Sequence, residues 1–216
     1  MNIKACIFDL DGVIVDTAKY HFIAWREIAK ELGFEFTEVH NERLKGVTRM
    51  RSLEILLEIG KIDLDDEKKE LLAEKKNNNY VQFILKMNPD EILPGAKEFL
   101  KECRLFRIKT ALGSASKNAM TILDRLQIAN FFDAVIDGTK VTKAKPDPEI
   151  FLKGADTLGI AYQNCVVFED AEAGIEAALA ANMKCVGIGK PEILGKANIV
   201  IPGFQNFSVK KLTELI

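Results

Sequence analysis

Asp9 and Asp11 stand two residues apart at the end of a short apolar run, Ala5-Cys6-Ile7-Phe8. On extended backbone, residues i and i+2 point to the same side. Two anions placed that close repel unless a cation or a shared proton offsets them. Gly12 follows and lets the chain turn tightly. One nucleophilic carboxylate, a second placed for proton transfer and a bound divalent cation would account for all three features. Taken alone, the segment reads equally well as a strand followed by an Asp-rich turn.

Three other segments carry residues of complementary chemistry. After Lys109-Thr110-Ala111-Leu112 comes Gly113, then Ser114-Ala115-Ser116-Lys117-Asn118, a hydroxyl-rich stretch that opens a helix. Such a stretch offers hydroxyls and backbone N–H groups to an anion. Lys145-Pro146 precedes the helix that begins near Pro148, and Glu169-Asp170 follows Cys165-Val166-Val167-Phe168. In open α/β sheets, ligands bind at the carboxyl ends of the strands. Each segment alone has a plain explanation, such as a helix cap or a surface lysine. Together they describe a phosphate site with a hard cation, and oxygen ligands without a His or Cys cluster suit Mg²⁺ better than zinc.

The elements that must position these groups follow from periodicity. Strands are predicted at Ile3–Phe8, Ile108–Leu112, Ala134–Ile136, Cys165–Phe168, Lys184–Ile188 and Asn198–Ile201. Helical stripes separate them: Ala96, Phe99, Leu100 and Cys103; Ile150, Phe151, Gly154 and Leu158; Ile175, Ala178 and Leu179. Asp147 reads as an N-cap with Pro148 at the first helical position, and Gly159 as the stop. The alternation predicts a doubly wound, Rossmann-like parallel sheet. From about Thr17 to Asn88 no strand is legible. Ala18, Phe22, Trp25, Ala29 and Leu32 form one helical stripe ended by Gly33, Leu53 to Gly60 suggests a second helix, and Glu67 to Leu85 a third. The expected organisation is a core of residues 1–16 and 89–216, with a small helical cap domain inserted at 17–88.

The 216 residues suffice for one well-buried core with a smaller attached module. Thirty basic and 32 acidic residues leave a net charge of −2, so neither nucleic acid nor a membrane surface is an expected partner. The first apolar run is too short for a signal-peptide core and is broken by Asp9 and Asp11, and no later stretch approaches a membrane span. Cys6, Cys103, Cys165 and Cys185 stand singly among apolar residues, as reduced core cysteines of a cytoplasmic protein do.

These motifs resemble those of the haloacid dehalogenase-like phosphotransferase superfamily over the whole chain. The first is Phe8-Asp9-Leu10-Asp11-Gly12-Val13, the second Ser114, the third Lys145-Pro146 and the fourth Glu169-Asp170. The resemblance implies that Asp9 becomes an aspartyl-phosphate and that Asp11 is the general acid/base. It implies that Ser114 and Lys145 bind the transferring phosphoryl group, with Ala115, Ser116, Lys117 and Asn118 completing the phosphate loop. It further implies Mg²⁺ held by Asp9, by the backbone carbonyl of Asp11, and by Glu169 or Asp170.

The insert is similar to the cap of the β-phosphoglucomutase branch at Thr17 to Phe22 with Trp25, at Lys45-Gly46-Val47-Thr48-Arg49, and at Lys76-Asn77-Asn78-Asn79-Tyr80. That similarity implies that Gly46, Val47, Thr48, Arg49 and Lys76 bind the distal phosphate and hydroxyls of a sugar phosphate. It also implies that His21 hydrogen-bonds near Asp11 and couples cap closure to its position. Trp25 belongs to the same motif, yet it lies on the apolar stripe and reads more readily as packing. Lys75 is the rival to Lys76, Arg43 and Lys45 read as solvated charges, and His40 has no legible role. Gly113 reads as added freedom in the phosphate loop and Lys140 as charge near the rim. The implied enzyme is a Mg²⁺-dependent mutase, a cytoplasmic monomer interconverting β-D-glucose 1-phosphate and glucose 6-phosphate. The alternatives are a phosphatase acting on a sugar phosphate or other small phosphomonoester, and a non-enzymatic sugar-phosphate binder.

Overall fold

A computed structural model describes residues 3–44 and 47–216. Six strands form one parallel sheet: β1 (Ala5–Phe8), β2 (Lys109–Gly113), β3 (Ala134–Ile136), β4 (Cys165–Glu169), β5 (Lys184–Ile188) and β6 (Ile199–Ile201). Their order is β3-β2-β1-β4-β5-β6. The helices are α1 (Ala18–Glu31), α2 (Glu38–Glu42), α3 (Arg49–Gly60), α4 (Asp66–Ile84), α5 (Ala96–Leu105), α6 (Ala119–Arg125), α7 (Glu149–Leu158), α8 (Glu172–Ala180), α9 (Pro191–Leu194) and α10 (Val209–Leu215).

β1, and β4 as far as Phe168, are apolar because both faces of the sheet are covered there. On one face Ala5, Ile7, Ala111 and Val167 pack with Phe151 of α7 and Ile175 of α8. On the other, the Phe8 and Phe168 rings stack at 4.9 Å, and Phe99 and Phe204 close over them. The order of the strands reverses between β1 and β4, where Phe8 pairs with Phe168. Such a reversal opens a crevice at the carboxyl ends of the strands. Asp9 and Glu169 therefore reach the same crevice from neighbouring strands.

The chain divides into two compact units, residues 1–16 with 88–216, and residues 17–87. The second unit contains only helices among its described residues. Trp25, Ile28 and Ala29 of α1, Leu53, Leu56 and Leu57 of α3 and Ala73 of α4 form its core together with Phe36. Asp65 caps α4 by accepting the Lys68 N–H at 2.9 Å, and Thr48 caps α3 by accepting the Arg51 N–H at 3.3 Å. His40 proves to have a local role: its Nδ1 accepts the Thr37 N–H while Thr37 Oγ1 accepts the His40 N–H, a reciprocal cap for α2. No described helix is long and apolar enough to cross a membrane.

Several expectations need correction. β1 begins at Ala5, two residues after the expected start at Ile3, and ends as expected at Phe8, so Asp9 and Asp11 both lie beyond it. Helix α7 starts at Glu149 with Pro148 as its N-cap residue, though Asp147 still contributes by accepting the Glu149 N–H at 3.0 Å. Gly113 adds no loop freedom: it closes β2, and a Cβ there would lie 3.1 Å from the Phe151 ring. It is small because a helix packs on the strand at that point.

Candidate active site

Beyond Phe8 the backbone leaves the ladder in a tight loop. The Asp9 N–H still donates to Phe168 O at 3.0 Å, and Gly12 N–H donates to Val15 O at 2.8 Å. Gly12 has φ +75, and a Cβ on it would lie 2.0 Å from Asp170 Oδ2. Glycine is required here both for the turn and for the approach of Asp170. Asp11 bridges to Val15 inside this loop, so strand alternation is not what places it.

The carboxylates that crowd Asp9 come from β4. One oxygen each of Asp9, Glu169 and Asp170 lies within 4.8 Å of the others. Asp9 and Glu169 are buried, and Asp170 is half-buried. Gly174 makes room for this arrangement, because a Cβ there would meet Glu169 Cδ at 2.0 Å. Among the described residues, one cation pairs with them. Lys145 Nζ sits 2.5 Å from Asp9 Oδ1 and 2.8 Å from Glu169 Oε2, over the Phe151 ring, with its side chain only 8% exposed.

One ammonium cannot balance these acids. Burial, reinforced by Asp9 and Asp170, pushes the Glu169 carboxyl up to about 8 despite Lys145. Burial, then Asp9 and Asp11, pushes Asp170 up to about 7. Burial opposes charge on Lys145, but Asp9 and Glu169 outweigh it and hold the ammonium above the usual lysine value. Both directions follow from a surplus of negative charge in a desolvated place. Buried oxygen donors with surplus charge fit a divalent cation, and a hard one.

The next strand end supplies hydroxyls. Ser114 is buried directly after β2, and its N–H donates to Ile136 O at 3.0 Å. Ser114 Oγ accepts the Ser116 N–H at 3.1 Å, and Ser116 Oγ accepts the Asn118 N–H at 3.2 Å. Each hydroxyl keeps its proton to donate. Ala115 and Lys117 are exposed on the same loop.

The helical unit has a cluster of the opposite sign. Lys76, buried on α4, places Nζ 2.6 Å from His21 Nδ1, 4.9 Å from the Trp25 ring centre and 4.8 Å from that of Tyr80. The His21 ring stacks on Tyr80 at 4.1 Å. Burial first, then Lys76 and Arg49, holds His21 well below the ordinary histidine value, so it is neutral and accepts from Lys76. Arg49 Nη2 donates to Asn77 Oδ1 at 2.8 Å, and burial lowers its guanidinium.

Residues 3–182 match the family model described as haloacid dehalogenase-like hydrolase. The chain belongs to this family. Within it, the chain is 42% identical over 214 residues to the β-phosphoglucomutase of Bacillus subtilis, covering 98% of this chain and 94% of that protein. The crystal structure of β-phosphoglucomutase from Clostridium difficile superposes with a TM-score of 0.93 at 45% identity, covering 99% of this chain and 96% of that one. A phosphorylated carbohydrates phosphatase of Thermotoga maritima is 37% identical over 185 residues, 84% of this chain and 82% of its own length.

Of the residues singled out from sequence, Asp9, Lys145, Glu169 and Asp170 are in mutual contact or nearly so, with Asp11 and Ser114 at the same strand ends. In the helical unit, His21, Lys76 and Arg49 form one cluster. Lys75 instead pairs with Glu31 at the surface, at 2.6 Å. Trp25 is 2% exposed and belongs to the core of the unit, with the Lys76 ammonium over its ring. Val47 and Thr48 are exposed, and Thr48 serves as a helix cap. Gly46, with Lys45, lies outside the described residues. Arg43 is a surface partner of Glu58, and Lys140 donates to Val135 O at 2.6 Å. Asn77 and Tyr80 were not singled out for a role, although Tyr80 stands four residues after Lys76, at the spacing that puts two side chains on one helix face.

Proposed function

We propose that the protein is a β-phosphoglucomutase, interconverting β-D-glucose 1-phosphate and glucose 6-phosphate through β-glucose 1,6-bisphosphate. The observation that carries this reading is its likeness to β-phosphoglucomutases over nearly the full length of both chains, the helical unit included. Phosphorylated Asp9 donates to the 6-hydroxyl of β-glucose 1-phosphate. The bisphosphate reorients, and Asp9 attacks the phosphorus at C1, releasing glucose 6-phosphate and restoring the aspartyl-phosphate. Asp11 takes the proton from the accepting hydroxyl and returns one to the leaving oxygen. Lys145, the Ser114 hydroxyl and the loop of residues 115–118 hold the oxygens of the transferring group. Asp9, the Asp11 carbonyl, Glu169 and Asp170 are the groups that would hold Mg²⁺. That ion would neutralise charge on the phosphoryl oxygens.

Arg49 and Lys76 take the phosphate that is not reacting, with Gly46, Val47 and Thr48 on the same substrate, and His21 couples closure of the helical unit to the position of Asp11. Closure matters because water would otherwise hydrolyse the aspartyl-phosphate. The reading also makes the protein a cytoplasmic monomer, in keeping with four unpaired, buried cysteines. A phosphatase is the second reading, favoured by the Thermotoga maritima relative. Incubation with Mg²⁺, β-glucose 1-phosphate and a trace of the bisphosphate separates the two. Glucose 6-phosphate is the expected product. Free phosphate would support the phosphatase, and no turnover would contradict both.

A further inference from the structure

Lys145 lies in an irregular loop between β3 and α7, yet its ammonium meets carboxylates at the ends of two other strands at 2.5 and 2.8 Å. A lysine stem is flexible and cannot supply that accuracy by itself. The backbone beneath it must be held. We propose that Glu149 is the positioning residue for Lys145, gripping the loop from the first turn of α7.

Glu149 Oε2 accepts the N–H groups of Thr142 at 2.9 Å and Lys143 at 2.7 Å, and the Thr142 hydroxyl donates to the same carboxylate at 3.2 Å. Lys153, one turn along α7, pairs with Glu149 Oε1 at 2.6 Å and donates to Lys140 O at 2.7 Å. Both members of this i,i+4 pair therefore hold the same loop. On the near side of Lys145, Asp147 N–H donates to Ala144 O at 3.0 Å while its carboxylate takes the Glu149 N–H. The helix also supplies Phe151, whose ring lies under the Lys145 ammonium. The first turn of a helix is a favourable place for an acid. Lys153 first, then the Lys143 N–H, holds Glu149 down to about 2, so it is ionised throughout the working range. Glutamine is a poor replacement, because one carbonyl oxygen can keep the two N–H groups but its NH₂ then faces the Lys153 ammonium and the charge that holds the pair is gone.

The proposal rests on the reading that Lys145 serves phosphoryl transfer. The test is a double-mutant cycle on the full Mg²⁺-loaded chain, measuring the single-turnover rate of Asp9 phosphorylation by acetyl phosphate. Glu149→Gln is expected to slow that rate roughly 10–100-fold when Lys145 is present, the scale of a small misplacement of a reacting group. In a Lys145→Ala background the same change is expected to cost less than about twofold, since coupled residues are not additive. Amide hydrogen exchange at Thr142 and Lys143 is expected to quicken in both Glu149→Gln proteins. An equal loss in both backgrounds, or no loss with Lys145 present, would overturn the proposal. A Lys145→Ala protein as fast as wild type would overturn the role of Lys145 itself, with the exchange rates still reporting the grip separately. If Glu149→Gln does not fold, Lys153→Met gives the same cycle: a smaller loss that depends on Lys145 supports the proposal, and one that does not overturns it.

Discussion

At the strand ends of the first unit, Asp9, Glu169 and Asp170 crowd around one ammonium, whereas in the helical unit Lys76 and Arg49 surround a histidine that stays neutral. The first cluster has more negative charge than Lys145 can balance, and burial first, then that surplus, makes two of its carboxyls hold protons more tightly. The second has positive charge that rests on two aromatic rings and an imidazole nitrogen, which attract an ammonium without neutralising it. One site calls for a cation and the other for an anion. On the proposed reading a sugar bisphosphate and a divalent metal would supply these charges, and neither cluster alone would distinguish a mutase from a phosphatase.

The largest expected effect lies in the acidic cluster. Asp9→Asn is expected to abolish phosphoryl transfer, with no acid-stable, base-labile adduct on incubation with acetyl phosphate, while the circular dichroism spectrum stays native. An adduct that persists would place the nucleophile elsewhere and break the assignment of this cluster. Asp11→Ala is expected to slow turnover by about 10²–10⁴-fold, the share of general acid/base catalysis. Its metal affinity should remain, since only the backbone carbonyl is assigned to the ion. Loss of metal binding with proton transfer unaffected would reverse the two roles.

Arg49→Lys sharpens the basic cluster. A guanidinium can grip two phosphate oxygens at once and an ammonium cannot. The change is expected to raise the KM for β-glucose 1,6-bisphosphate by roughly tenfold, about the worth of one charged hydrogen bond. Steady-state rates with the bisphosphate check it.

The smallest effect is on stability, and its sign differs between the clusters. The Glu169 and Asp170 carboxyls have raised values, so the folded chain holds protons that the unfolded chain has lost. Stability from this source is full below the ordinary carboxylate range and disappears as pH rises through about 7 to 8. His21 is depressed, so its contribution is present above the ordinary histidine value and disappears as pH falls. Without metal, the thermal midpoint is expected to drop by a few degrees between pH 6.5 and 8.5, since about 1 kcal/mol moves a chain of this size by roughly 2–4 °C. Mg²⁺ should restore more of it at the higher pH, because its ligands must be deprotonated. Amide exchange across α1 and α4 should instead quicken as pH falls below 6, after correction for intrinsic rates.

The sheet was legible because its strands are buried on both faces and therefore appear as unbroken apolar runs, such as Cys165 to Phe168. The acidic site was legible because Asp9 and Glu169-Asp170 follow those runs, although strand alternation is not what crowds Asp9 and Asp11. They lie past the end of β1, and the crowding around Asp9 comes from Glu169 and Asp170, 160 residues away in sequence, across a strand pairing that periodicity does not reveal. Gly113 looked like loop because the helix packed against it is a tertiary fact. Trp25 was ambiguous for a related reason: the stripe showed that it was buried, and only the fold shows that Lys76 rests on its ring. Glu149 carries no signal in the sequence, since its hydrogen bonds run back to a loop with no pattern of its own.

The most direct test of the opposed clusters compares two activities in Arg49→Ala and Lys76→Ala. Mutase turnover needs the second phosphate to be held, whereas acetyl phosphate has none for these side chains to engage. The ratio of mutase to acetyl phosphatase activity is expected to fall by roughly 10–100-fold in each variant, with the small-ester rate nearly that of wild type. An unchanged ratio would mean that the basic cluster does not bind the distal phosphate, and would remove the main reason for preferring a mutase over a phosphatase.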